Sequence, residues 1–92
     1  MTVLFSKCEL FLDTFNRAEA RVKQRMGEFL QAKTLNPNAA FGSSDYKYPA
    51  GHLKGIAHAK LTPDISIIYT REGDVFCLYG VFSHDDSGTG QP

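Results

Sequence analysis

Protonatable side chains crowd the carboxyl-terminal third of this chain. Lys60-Leu61-Thr62-Pro63-Asp64 leads into the apolar run Ile65-Ser66-Ile67-Ile68-Tyr69, and a returning run from Val75 to Phe82 delivers Ser83-His84-Asp85-Asp86. Imidazole titrates near neutrality, so His84 close to a carboxylate and an ammonium could move protons at physiological pH. The group to watch is His84 with Asp64 and Lys60; His58 and His52 are further imidazoles. Each has a plainer reading. Asp64 after proline can be a turn residue, Lys60 a solvated strand end, His58 between Ala57 and Ala59 a sheet-face residue, and His52 a loop residue. Nothing about a strand terminus requires an imidazole, which singles out His84. A zinc site built from the three histidines and a cysteine is disfavoured because no two of them sit at ligand spacing on one element, and no cofactor is expected.

The elements that must position these groups follow from periodicity. Ile56 to Leu61, a turn at Thr62-Pro63, a run through Tyr69, a turn over 71–74 and a return from Val75 read as three strands of an antiparallel meander. If Thr70 faces Val75, counting outward brings His84 opposite Leu61, next to Lys60. A slip of one residue would invert the faces, so the sequence leaves open whether the two share a side. Upstream, Val3-Leu4-Phe5 could form a short first strand. Ser6 with Glu9 reads as a capping box, and Cys8, Phe11, Leu12 and Phe15 fall at i, i+3, i+4 and i+7, one helical stripe. After a polar interruption at Asn16-Arg17, a second stripe of Val22, Met26, Phe29 and Leu30 predicts a second, antiparallel helix that ends before Asn36-Pro37-Asn38. Gly27 inside it weakens that helix by up to about 1 kcal/mol. The expected class is therefore α+β: two N-terminal helices packed on a small antiparallel sheet, one domain over residues 1–86, then a mobile tail over 87–92.

Between helices and meander, residues 41–55 are rich in turn formers and aromatics and read as a long surface loop. Tyr48, Tyr46, Lys47 and Lys54 in it could stack on bases and neutralise phosphate, with His52 beside them; equally, the tyrosines could seal the edge of the core.

Composition narrows the setting. Ninety-two residues suffice for one core, and a hydrophobic fraction of 42% excludes a wholly disordered chain. No apolar run approaches the roughly 20 residues that span a bilayer, and the first residues lack a signal-peptide pattern, so a cytoplasmic protein with no membrane partner is expected. Cys8 and Cys77 stand in apolar surroundings with no Cys-x-x-Cys pair, which reads as two buried free thiols. The formal net charge is zero, yet residues 1–60 carry nine Lys or Arg against five acids and residues 61–92 carry one against five. A polyanion would meet the basic part, and its binding would weaken as salt rises.

Two helices followed by a meander, with Leu53-Lys54-Gly55 before it, Ile67-Ile68-Tyr69 within it and a polar group after it, resemble the RelE/ParE superfamily of bacterial toxins across nearly the whole chain. Pro63-Asp64-Ile65-Ser66-Ile67-Ile68-Tyr69 and Ser83-His84-Asp85-Asp86 are most similar to the YafQ-type branch, with Ser66 where many RelE relatives carry an arginine. The resemblance implies a ribosome-dependent mRNA endoribonuclease that works without metal through the ribose 2′-hydroxyl and is held inactive by a cognate antitoxin protein. It implies His84 as the leading acid/base, Asp64 as a base or orienting group, Lys60 as a charge for the transition state, and ribosome, mRNA and antitoxin as partners. An apolar groove between helices and sheet would receive the antitoxin. Two other outcomes stay within the same resemblance: a non-enzymatic, gyrase-binding ParE-like toxin, and a degenerate member that only binds its antitoxin.

Overall fold

The two helical stripes and the three-strand meander each bury one face, and the fold joins those faces. The computed structural model describes residues 2–42, 45–47 and 55–83. In order these form β1 (Leu4–Lys7), α1 (Glu9–Asn16), α2 (Ala20–Leu35), β2 (Tyr46–Lys47), β3 (Ala57–Lys60), β4 (Ile65–Glu72) and β5 (Val75–Ser83). Both helices lie where the periodicity puts them. In α1, Phe11 is buried and stacks on Phe15 with ring centroids 5.7 Å apart. The rest of that stripe turns out differently, because Cys8 and Leu12 are exposed. Nor does the capping box form: Ser6 belongs to β1, pairs with Cys77, and leaves Cys8 at the helix N-cap with no side-chain hydrogen bond that caps the helix. In α2, Val22, Met26 and Phe29 are buried as expected, and so is Lys33. The helix stops at Leu35 because the residue before Pro37 is pushed out of helical geometry, and Asn36 is extended at φ −150°.

The sheet order is β1-β5-β4-β3-β2. The expected meander β3–β4–β5 is antiparallel, and β1 adds a parallel strand at the edge of β5, which makes the sheet mixed. One face packs on the helices through Ala57, Ala59, Ile67, Tyr69, Phe76, Leu78 and Val81, all members of the core. The residue parity along β5 changes between Leu78 and Val81 because Ile68 faces Gly80 while Tyr69 faces Leu78. Tyr79 is therefore the extra residue of a β-bulge, which lets both halves of β5 turn their apolar side inward. Its carbonyl accepts a hydrogen bond from Cys8 Sγ at 3.4 Å. The thiols are thus one exposed and one half-buried, not two buried ones.

The hairpin register also differs from the expected one. Glu72, not Thr70, faces Val75, and the turn shrinks to Gly73-Asp74 with Gly73 left-handed at φ 62°. A two-residue turn of this kind matches the twist of its strands and needs a residue without Cβ strain at its first position. Together with the bulge it brings Ser83 opposite Ile65, the last pair of this ladder among the described residues. Residues 41–55, read as a loop, contain β2, which pairs with β3 as Tyr46 to His58 and Lys47 to Ala57.

Candidate active site

The turn between β3 and β4 is tied down from three sides. Leu61 is fully buried, its N–H donates to the Ile65 carbonyl at 2.8 Å, and its carbonyl accepts Arg25 Nε of α2 at 2.8 Å. Thr62 Oγ1 accepts the Ile65 N–H at 3.1 Å. Pro63, with its fixed φ, and exposed Asp64 are consequently held at a rigid tip.

Beside this tip runs a row of three residues on adjacent strands, Lys60, Ser66 and Phe82. Successive side chains alternate across a sheet, so this row lies on the face away from the helices, opposite to that of Ala59, Ile67 and Val81. Lys60 is exposed, Phe82 half-buried and Ser66 wholly buried. The next row inward is His58, Ile68 and Gly80. There His58 is only 4% exposed, and a Cβ on Gly80 would sit 2.4 Å from Phe82 Cε2, so the phenyl ring leans back across the glycine. The register therefore gathers Lys60, Asp64, Phe82 and Ser83 at one end of the sheet, with His58 beneath the surface of the same face. Lys47 pairs with Ala57 and so turns to the helix side, away from Lys60. His84, Lys54, Tyr48 and His52 lie outside the described residues.

No family model matches this chain, and no curated protein does. Solved structures do. A YoeB/ParE toxin from Agrobacterium tumefaciens is 15% identical with a TM-score of 0.73 over 89% of this chain and 99% of the other. The E. coli DinJ-YafQ toxin-antitoxin complex contains a chain 15% identical with a TM-score of 0.75, covering 94% and 97%. The RelBE2 toxin-antitoxin complex from Mycobacterium tuberculosis gives 10% identity and a TM-score of 0.70, covering 90% and 99%. This chain has the RelE-like toxin fold.

Behind the candidate site, the RelE-like fold holds a buried polar cluster that sequence reasoning missed. Lys33 Nζ lies 2.6 Å from Asp45 Oδ2, with side chains only 5% and 3% exposed. The Lys33 ammonium also donates to the Ala39 carbonyl at 2.7 Å, and Asp45 accepts the Phe41 N–H at 2.7 Å and the Tyr69 hydroxyl. Burial pushes the Tyr69 phenol well above its ordinary range, helped by its hydrogen bond to Asp45 and that residue's charge and opposed by Arg71. Lys47 lines the adjoining cavity of about 330 Å³. A signal for the cluster exists in the sequence: Lys33 continues the stripe Val22, Met26, Phe29 at the next helical position, and a cation on a core stripe must find a buried acceptor. On the strand-end side, a cleft of about 460 Å³ opens between Thr14, Arg17, Ala18, Ile65, Phe82 and Ser83. Thr14 Oγ1 accepts the Val81 N–H at 3.0 Å there, so α1 holds β5 beyond the point where β1 stops. No group of three or more possible metal-ligating side chains occurs among the described residues, and no helix among them is long and apolar enough to cross a membrane.

Proposed function

We propose that this chain is the toxin of a type II toxin–antitoxin pair, held by a cognate antitoxin protein, and that in the cytoplasm it cuts mRNA on the ribosome. The fold shared with proteins named as toxins supports the first part. The second rests on one observation, the register that sets Lys60 and the rigid Asp64 turn beside Ser83, the residue that precedes His84 in sequence.

The reaction needs a base for the ribose 2′-hydroxyl, charge for the phosphorane and an acid for the departing 5′-oxygen. Attack of the 2′-oxygen on the adjacent phosphorus breaks the bond to the 5′-oxygen, leaving a 2′,3′-cyclic phosphate and a 5′-hydroxyl without a metal. In this reading His84 moves one of the two protons. Asp64 takes the other or orients an imidazole, and Lys60 serves as a point charge toward the phosphorane. His58, buried in the same face, would support the site from below, while Lys54, Tyr48 and His52 would contact RNA. Lys47, turned to the helix side at the edge strand, would reach RNA only past the sheet edge.

Controlled expression of the full chain in growing cells, with mapping of mRNA 5′ ends, tests the reading. Translation-dependent cuts bearing 5′-hydroxyls are expected, and His84→Ala should lower cleavage by on the order of 10²–10⁴ at unchanged thermal stability. Cleavage unaffected by that substitution removes His84 from the mechanism. Growth arrest with DNA damage and intact mRNA would replace the nuclease with a gyrase-binding toxin.

A further inference from the structure

At the far end of the sheet from Lys60 and Asp64, near the hairpin turn of β4 and β5, the cavity of about 330 Å³ beside the buried ion pair has an uneven charge balance. Among the described residues Lys33, Lys47 and Arg71 line it against a single acid, Asp45, which leaves three cations to one carboxylate. The carboxylate is already committed. Its Oδ2 meets the Lys33 ammonium and the Phe41 N–H, and its Oδ1 accepts the Tyr69 hydroxyl. Neither Arg71 nor Lys47 forms an ion pair among the described residues. Glu72, next to Arg71 in sequence, is exposed, and alternation along β4 turns it to the opposite face.

The Arg71 head is also fixed in place. Its Nε donates to the Gly73 carbonyl and its Nη1 to the Pro37 carbonyl, each at 2.8 Å, and its guanidinium carbon lies 5.3 Å from the centre of the buried Phe76 ring. Both carbonyls are neutral, so they orient the guanidinium without cancelling its charge. That charge reaches the cavity, since it opposes the rise of the Tyr69 phenol. A guanidinium has five N–H donors, and two are used here. Lys33, only 4% exposed on the same cavity's wall, spends two of its three donors on Ala39 and Asp45. An oriented arginine with donors to spare and no acid beside it suits a phosphoryl group, because the ordering entropy of the side chain is already spent.

We propose that this cavity binds a small phosphomonoester, a sugar or nucleoside phosphate, with its phosphoryl group held by Arg71, Lys47 and the remaining donor of Lys33 and its organic part against Pro37 and Ala40. Charge selects the class. A phosphomonoester carries about −1.5 to −2 at pH 7, which matches the surplus of two cations better than the single charge of a phosphodiester does. Size selects a small ligand, since about 330 Å³ lies at the low end of the roughly 300–1,000 Å³ of ligand pockets. The site stands apart from the candidate nuclease site and does not depend on that reading.

Isothermal titration calorimetry on the full chain in low-salt, phosphate-free buffer tests it, with ribose 5-phosphate, 5′-AMP, inorganic phosphate and dimethyl phosphate as probes. The two esters should bind saturably, weaken with salt, and bind at least about tenfold more tightly than dimethyl phosphate. Arg71→Gln should weaken them by about tenfold or more, and Arg71→Lys should restore only part of that, because an ammonium lacks the planar fork. Lys47→Gln alters an exposed side chain and should weaken them by roughly threefold to tenfold, which keeps the test decisive if Arg71→Gln fails to fold. No saturation below about 10 mM, equal binding of dimethyl phosphate, or ester binding untouched by the substitutions that fold overturns the proposal. Inorganic phosphate binding as tightly as the esters would overturn the ester assignment in favour of the free ion. Displacement of ribose 5-phosphate by a short RNA without terminal phosphates would overturn it in favour of an RNA track.

Discussion

This protein uses lysine and aspartate twice, in opposite ways. Lys33 and Asp45 are buried behind the sheet, 2.6 Å apart, with every side-chain oxygen of the aspartate accepting a hydrogen bond. Lys60 and Asp64 stand exposed at the end of the sheet, on a turn held rigid by Arg25, Leu61 and Thr62. The first pair ties Ala39, Phe41 and Asp45 to α2 and to Tyr69 of β4, and its charges face one another. The second pair lies at the surface, where on the proposed reading an RNA phosphate would meet it. On the proposed reading, identical residue types divide into architecture and chemistry by burial, and a buried ion pair is costly to break while an exposed charge is cheap to remove.

The sharpest way to break this contrast is Asp45→Ala. It strands a buried ammonium and should cost about 3–5 kcal/mol of stability, read as a collapse of the urea midpoint. Converting both partners to apolar groups, Lys33→Met with Asp45→Leu, should recover part of that loss, because no uncompensated charge is left. An Asp45→Ala protein as stable as the wild type would mean that the pair is not structural. Next in size, Lys60→Ala should lower mRNA cleavage by on the order of 10², as removal of one transition-state donor does, while shifting stability by no more than about 0.5 kcal/mol. Equal losses of folding and cleavage would erase the division between the two regions.

The smallest effect is the one that titrates. Tyr69→Phe removes a hydrogen bond to a buried carboxylate and should cost about 1.5 kcal/mol at pH 8. The folded phenol is held above its ordinary range, so the folded state keeps a proton that the unfolded chain loses above about pH 10. Wild-type stability should then fall with rising pH beyond that point by up to about 1.4 kcal/mol per unit, and the phenylalanine variant should lack this share of the decline. Urea unfolding at pH 8 and pH 11 measures both, and parallel declines in the two proteins would contradict the raised phenol.

How much of this was legible depends on how local the information is. Val22, Met26 and Phe29 announce α2 because their spacing repeats every turn, and Ile65 to Tyr69 announces β4 because an apolar run with flanking turn residues is a strand signal. Asp45 could not be assigned from its neighbours: Gly42-Ser43-Ser44-Asp45 looks like turn chemistry, and only Lys33, twelve residues earlier, gives it meaning. The capping box failed for a related reason, since pairing of Ser6 with Cys77 outcompetes a local cap. At the candidate site, the sequence picked out Lys60 and Asp64 but had the hairpin turning in the wrong place, because Glu72 to Asp74 offers several turns of similar local quality. His84 was read from its residue type and from the family resemblance, and Lys54, Tyr48 and His52 from residue type and place in the loop; all four lie outside the described residues.

The chain's own residues determined the helices, the strands of the meander and the list of groups able to move protons or carry charge, since those follow from periodicities of two and 3.6 and from side-chain chemistry. Only the assembled structure decided which lysine is buried and which faces outward, that β1 runs parallel along β5, and that a bulge at Tyr79 brings Ser83 opposite Ile65. Those choices depend on closing contacts between segments far apart in sequence, where one residue of register or one turn position reverses the face a side chain occupies.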